Sequence, residues 1–251
     1  MEASSQPSPS AAQAESLSPI QRAVMLFVRP SAAWAGLEQK PQFWFPLLFM
    51  LVMTAGTTLL LHQRAILPMI QSAWEQQIED GRMTAEQMDQ MLAFMSSPAG
   101  IAVTIVQQAI LFPVILLIAA LLVWFGVGFL LGARFRFRLA FEVVCWAWLI
   151  RIPEVLVITG LAWTRETMEG VHSGLGALLP VADSPGKLQM FAAAILDQVG
   201  PLQIWFLVVG IIGASVLSGA PRRNVAWVLG GLYLVIAAFF VGLGVMLRPS
   251  S

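Results

Sequence analysis

The sequence predicts an all-α, polytopic integral membrane protein: a bundle of five transmembrane helices with an external helical hairpin. Three observations carry this. Five apolar stretches, at about 43–61, 101–131, 140–161, 202–218 and 225–247, each reach or approach the roughly 20 residues needed to cross a hydrocarbon core of about 30 Å. Apolar residues make up 58% of the chain and charged ones 11%, far from the ~25% charged of soluble domains. Basic residues also alternate in density from one connection to the next.

Residues 1–18 are rich in Ser, Pro, Ala and Gln and carry two Glu and no basic residue. They lack the basic start and apolar centre of a secretory signal and are expected to form a disordered tail. Residues 19–42 read as cytoplasmic interfacial helices. Ser18 caps the first, Pro19 takes its first position and Gln21 completes a capping box. Ile20, Val24, Phe27 and Val28 form one face, which Pro30 interrupts. A second short helix, 31–38, carries Trp34 and Leu37, and Trp34 is expected at the membrane–water interface. The pair lies along the membrane or serves as a docking element.

After the first span, the external loop 62–99 reads as a helical hairpin within the membrane domain 43–247. Ile70, Trp74 and Ile78 recur every four residues, and Asp80-Gly81 ends that helix. Thr84 caps the next, with Gln87 in the capping-box position. Met88, Met91, Leu92 and Met95 make its apolar face, which either covers the outer mouth of the bundle or offers a binding groove.

The second stretch, at 31 residues, would be about 46 Å long, so it should project outward with Gln107 and Gln108 at the outer interface. Pro113 and Pro153 should bend the second and third spans. Gly128/Gly132, and Gly210/Ala214 continued by Ser218, are small-residue strips that suit close helix approach. That approach is either within the chain or to a membrane-protein partner or second copy. The other expected contact is the lipid bilayer; equal numbers of basic and acidic residues, 14 each, do not suggest nucleic acid.

Arg22, Arg29, Lys40, Arg134, Arg136, Arg138, Arg222 and Arg223 fall on one side, against Arg64, Arg82, Arg165, Lys187 and Arg248 on the other. Basic residues are retained in the cytoplasm, which puts the N-terminus there and the C-terminus outside.

The candidate intramembrane polar site is Arg151, Pro153 and Glu154, in the outer half of the third span. Arg151 and Glu154 are three apart, hence neighbours on one helix face, and an unpaired charge at such depth costs about 2.5–3.5 kcal/mol. They form either a structural salt bridge at a kink or a functional polar site. Glu142 is expected to pair with Arg138 at the inner interface.

No catalytic, cofactor-binding or metal-binding pattern is present. Phosphate-cradling and zinc-protease motifs are missing, and Gly213-Ala-Ser215 lacks the form of a nucleophile elbow. His62 and His172 are expected in external loops, and the single cysteine, Cys145, lies within a span.

Several segments together resemble the Yip1 family of five-span membrane proteins, particularly its bacterial branch. They are Arg22-Ala-Val-Met-Leu-Phe-Val-Arg-Pro-Ser-Ala-Ala-Trp34, Phe43-Trp-Phe-Pro46, Arg82-Met-Thr-Ala-Glu-Gln87 and the Cys145 to Pro153 region. The resemblance implies five spans, a cytosolic N-terminus and residence in a bacterial plasma (inner) membrane. Eukaryotic members are implicated in vesicle traffic and in binding prenylated small GTPases. This chain lacks their acidic, tyrosine-containing motif near the first span, its only tyrosine being Tyr233, so GTPase binding is not carried over. The expected function is non-enzymatic, as a scaffold or membrane-organising factor. The alternative is a small channel or transporter component that uses Arg151 and Glu154.

Overall fold

The structure, a computed structural model, describes residues 17–166, 174–178 and 187–246. Every regular element among them is helical. Among the described residues four helices are long and apolar enough to cross a membrane: Trp44–Glu79, Pro98–Leu130, Pro201–Ser218 and Arg222–Met246.

Helix α1 (Pro19–Val28) opens with the expected box: Ser18 Oγ accepts from the Gln21 N–H, and Gln21 Oε1 accepts from the Ser18 N–H. α2 is one turn, Pro30–Ala33. The chain then turns through Gly36, at φ +77°, a backbone shape that favours glycine.

α1 is two-sided. Ile20, Val24, Phe27 and Val28 are exposed, whereas Leu26 and Arg22 are buried against the bundle. Trp34 is a correction: its ring is buried, not interfacial. It lies over Gly213, where an added Cβ would come 2.5 Å from Trp34 Cζ2. Burying so large a ring in a slot that glycine leaves open outweighs the interfacial preference of an isolated tryptophan.

α3 (Trp44–Leu61) does not end at a loop. A five-residue π-turn, His62–Ile66, joins it to α4 (Leu67–Glu79). His62 is therefore not in an external loop; it is buried, with Nε2 donating to the Met95 carbonyl at 2.9 Å. His172 lies outside the described residues. Gly81 (φ +69°) turns the chain into α5 (Ala85–Ser96), capped by Thr84 and Gln87. α5 packs on α4 and on α6 (Pro98–Trp124). Met88, Leu92 and Met95 are half-buried there and Met91 is exposed. Pro113 sits inside α6 without ending it. Gln107 is exposed; Gln108 accepts from the Thr58 hydroxyl at 2.9 Å, tying α6 to α3.

α6 runs on through a π-turn, Phe125–Leu130. The Gly128/Gly132 strip is not one helical face, because Gly132 lies past the helix at φ +64°. The close approach is made by Gly126 instead, where a Cβ would stand 2.9 Å from Val228 Cγ1.

The third predicted span is divided. α7 (Phe137–Trp148) and α8 (Ile152–Arg165) are joined by a 3₁₀ turn, Leu149–Arg151. Pro153 lies in the first turn of α8, where its missing N–H is harmless. α9 (Lys187–Asp197) packs against α11 (Arg222–Met246), and α10 (Pro201–Ser218) against α7 and α11.

Two hydrogen bonds gather one end of the bundle. Arg222 Nη2 donates to Ser31 Oγ at 3.1 Å, and Arg138 Nη2 donates to the Glu38 carbonyl at 2.6 Å. The N-terminal segment, the α6–α7 turn and the α10–α11 turn thus share that end. The core fills the space between it and the middle of the bundle, from Leu26, Trp34 and Leu37 through Val143, Trp146 and Ile150 to Val209 and Ala214.

Candidate functional site

Among the described residues, the buried charged side chains Arg22, Glu142 and Glu154 fall in two places. The first is at the end just described and was not expected. Arg22 is 1% exposed and Glu142 is fully buried. Arg22 Nε donates to Gln42 Oε1 at 3.0 Å, Nη2 donates to the Ala35 carbonyl at 3.0 Å, and Nη1 donates to the Ala33 carbonyl. The guanidinium lies 5.7 Å from the centre of the Trp146 ring. Glu142 accepts from the Gln42 backbone N–H at 2.7 Å and from Trp146 Nε1 at 3.1 Å.

Glu142 therefore does not pair with Arg138, whose guanidinium is used by Glu38. The better partners come from distant parts of the chain, because a carboxylate out of water must have its oxygens satisfied by donors already in place. Burial pushes the Arg22 guanidinium below its usual range, and the Glu142 charge partly offsets that. One clue was available: Arg22 sits at i−4 to Leu26, on the side of α1 opposite the apolar stripe.

The second cluster contains the predicted site. Arg151 makes a two-pronged pair with Glu154, Nε to Oε2 at 3.1 Å and Nη2 to Oε1 at 3.0 Å. It forms because the two residues stand three apart across the start of α8. Gln203 on α10 adds a third member, its Nε2 donating to Glu154 Oε1 at 2.8 Å. Glu154 is 6% exposed and the Arg151 side chain 32%, so the carboxylate is inside and the guanidinium is partly open. Pro153 carries no polar group to the pair; it starts the helix that presents Glu154. Such a triad links α8 to α10, and it holds charge without leaving it unpaired.

Beside it lies an apolar cleft of about 410 Å³ between α6, α7, α10 and α11, with Ile118, Trp148, Phe206, Gly210, Leu229 and Tyr233 among its walls. Trp148 connects the two features, since the Arg151 guanidinium lies 6.0 Å from its ring centre. Tyr233 donates its hydroxyl to the Gln198 carbonyl at 3.2 Å, leaving the cleft walls almost wholly apolar. Among the described residues no cluster of three His, Cys, Asp or Glu could hold a metal ion.

No curated protein and no solved structure matches this chain. A family model does: the Yip1 domain matches residues 24–245, from the middle of α1 almost to the end of α11. With nearly the whole helical bundle inside that match, the chain belongs to the Yip1 domain family of membrane proteins.

Proposed function

We propose that this chain is a non-enzymatic scaffold or membrane-organising protein of a bacterial plasma membrane. One observation carries the reading: its internal charges are spent on joining helices to one another. Arg22 and Glu142 hold the N-terminal segment to α7 through Gln42, and Arg151–Glu154–Gln203 holds α8 to α10. A conducting or transporting bundle keeps polar groups free for its cargo, whereas these are committed to the protein itself. The α7–α8 pair acts as the fifth crossing, since 137–165 reaches about 43 Å along its axis even with a 3₁₀ turn. The N-terminus is cytoplasmic and the C-terminus outside, in line with the basic end that the N-terminal segment and two turns share.

The second reading, a channel or transporter component, draws on the partly open Arg151 beside the cleft. Photo-crosslinking in native membranes, with mass spectrometry of the products, separates the two. A stoichiometric protein partner is the expected result. Solute uptake by the purified protein in liposomes, lost in Arg151→Leu/Glu154→Leu, would replace the scaffold reading by the transport one.

A further inference from the structure

The two ends of the bundle carry opposite charge. At the end holding α1, the exposed side chains of Arg29, Lys40, Arg134, Arg136, Arg222 and Arg223 face water, with Glu38 the one exposed acid among the described residues there. At the far end, Glu75, Glu79, Asp80, Glu86, Asp89 and Glu166 are exposed against Arg64, Arg82 and Arg165. The basic end also has apolar neighbours at the same level. Trp44 and Phe137 are exposed in the first turns of α3 and α7, and Trp227 in the second turn of α11. Beside them α1 turns Ile20, Val24, Phe27 and Val28 outward, while its polar Arg22 is turned in and consumed.

This reverses the ordinary design of a soluble surface helix, which hides its apolar face. The outward stripe suits the boundary between headgroups and acyl chains, and the exposed aromatics suit the same level. Four to eight basic residues at the end of a membrane helix are the pattern that attracts anionic lipid.

We propose that the end of the bundle carrying α1 binds anionic phospholipids. Their phosphates gather around Arg134 and Arg136 on the turn before α7 and Arg222 and Arg223 at the start of α11, and α1 lies with its apolar stripe among the adjoining acyl chains. The two turns are neighbours, since Gly126 in the π-turn after α6 packs on Val228 in α11. Their four cations therefore stand at the same end of the bundle, beside the N-terminal segment that both turns contact. An acidic protein segment would match the charge but not the exposed stripe beside it.

The test reconstitutes the full chain in vesicles of equal phosphatidylcholine and phosphatidylglycerol, extracts it gently, and counts co-purifying lipids by native mass spectrometry. Phosphatidylglycerol should be enriched at least about threefold, and raised salt should reduce the enrichment. Arg134→Gln/Arg136→Gln/Arg222→Gln/Arg223→Gln should bring the ratio near parity, while Arg64→Gln/Arg82→Gln at the opposite end should leave it unchanged. If the quadruple variant melts early, the pairs Arg134→Gln/Arg136→Gln and Arg222→Gln/Arg223→Gln, made separately, should each remove part of the enrichment. Parity in the parent protein, full enrichment in the variants, or equal loss in the opposite-end control would overturn the proposal. So would crosslinks from a photoprobe at Arg134 that go to an acidic protein in place of lipid.

Discussion

Arg22 and Glu142 are joined without a direct salt bridge, through Gln42. The Gln42 side-chain oxygen accepts from Arg22 Nε at 3.0 Å, and its backbone N–H donates to Glu142 at 2.7 Å. One residue between α2 and α3 thus satisfies a cation with its side chain and an anion with its main chain. The arrangement fixes the path of the chain into the first span, because moving Gln42 would leave both charges short of a partner.

Glu142→Leu should accordingly be among the most damaging single changes in the protein. It leaves Arg22 buried without its counter-charge and takes the acceptor from Trp146, a loss of about 3–5 kcal/mol. Glu142→Gln keeps an acceptor for the Gln42 N–H and should cost less, about 1–3 kcal/mol. Melting in detergent, followed by tryptophan fluorescence, ranks the two; equal effects would mean that the charge is unimportant.

Arg151→Leu and Glu154→Leu should each destabilise the bundle, and the double variant should recover part of the loss, since a lone survivor keeps its desolvation cost without its partner. Gln203→Leu should cost about 1–3 kcal/mol alone and much less once Glu154 is already Leu, because its acceptor has gone. Strict additivity in this set of melts would break up the triad.

Gly210 and Gly213 lie one turn apart on α10 but should respond in opposite ways to alanine. A Cβ at Gly210 meets nothing within 4 Å, whereas one at Gly213 would run into the Trp34 ring. Gly210→Ala should be neutral or mildly stabilising. Gly213→Ala should lower the melting temperature and free the N-terminal segment, read as faster proteolysis after Arg22 or Arg29. Equal tolerance would place Trp34 elsewhere.

Met91→Glu should move the melting free energy by less than about 0.5 kcal/mol, since Met91 is 43% exposed. Met95→Glu should do more harm, being half-buried on the residue whose carbonyl receives His62. The reverse order would show that the exposed side of α5 is covered in the membrane.

Orientation is testable in intact cells carrying Cys145→Ser. Single cysteines at the exposed positions Lys40 and Asn224 should be shielded from an impermeant thiol reagent, and one at Gln90 should react. Labelling of the first two with protection of the third would invert the assignment.

What the sequence made legible was local. The capping boxes at Ser18/Gln21 and Thr84/Gln87 were readable because cap and partner are three residues apart, and the Arg151–Glu154 pair was readable for the same reason. The switch from apolar to polar residues marked the helix end at Ser218 but not at Leu61, where the helix continues into α4. What escaped depended on distance along the chain. Trp34 looked interfacial until Gly213 supplied a slot for it, and Arg138 was the nearest base to Glu142 but not the partner that geometry favoured. Small-residue spacing suggested Gly128 and Gly132, yet spacing alone could not reveal that the helix had ended before Gly132. Gln203 completes the second cluster from another helix, a contact that no pattern within the third span encodes.

The buried N-terminal segment also sets an order of events in the making of the protein. Its residues leave the ribosome before the spans do, but Glu142 follows about 100 residues after Gln42, and Gly213 about 180 after Trp34. At some 5–20 residues per second, Trp34 waits on the order of 10–35 s for the surface that receives it. Arg22 lacks its counter-charge until Glu142 has followed, and Trp34 stays without its slot until α10 arrives. The segment that precedes the first span is therefore among the last parts to dock, closing over spans that have already been inserted.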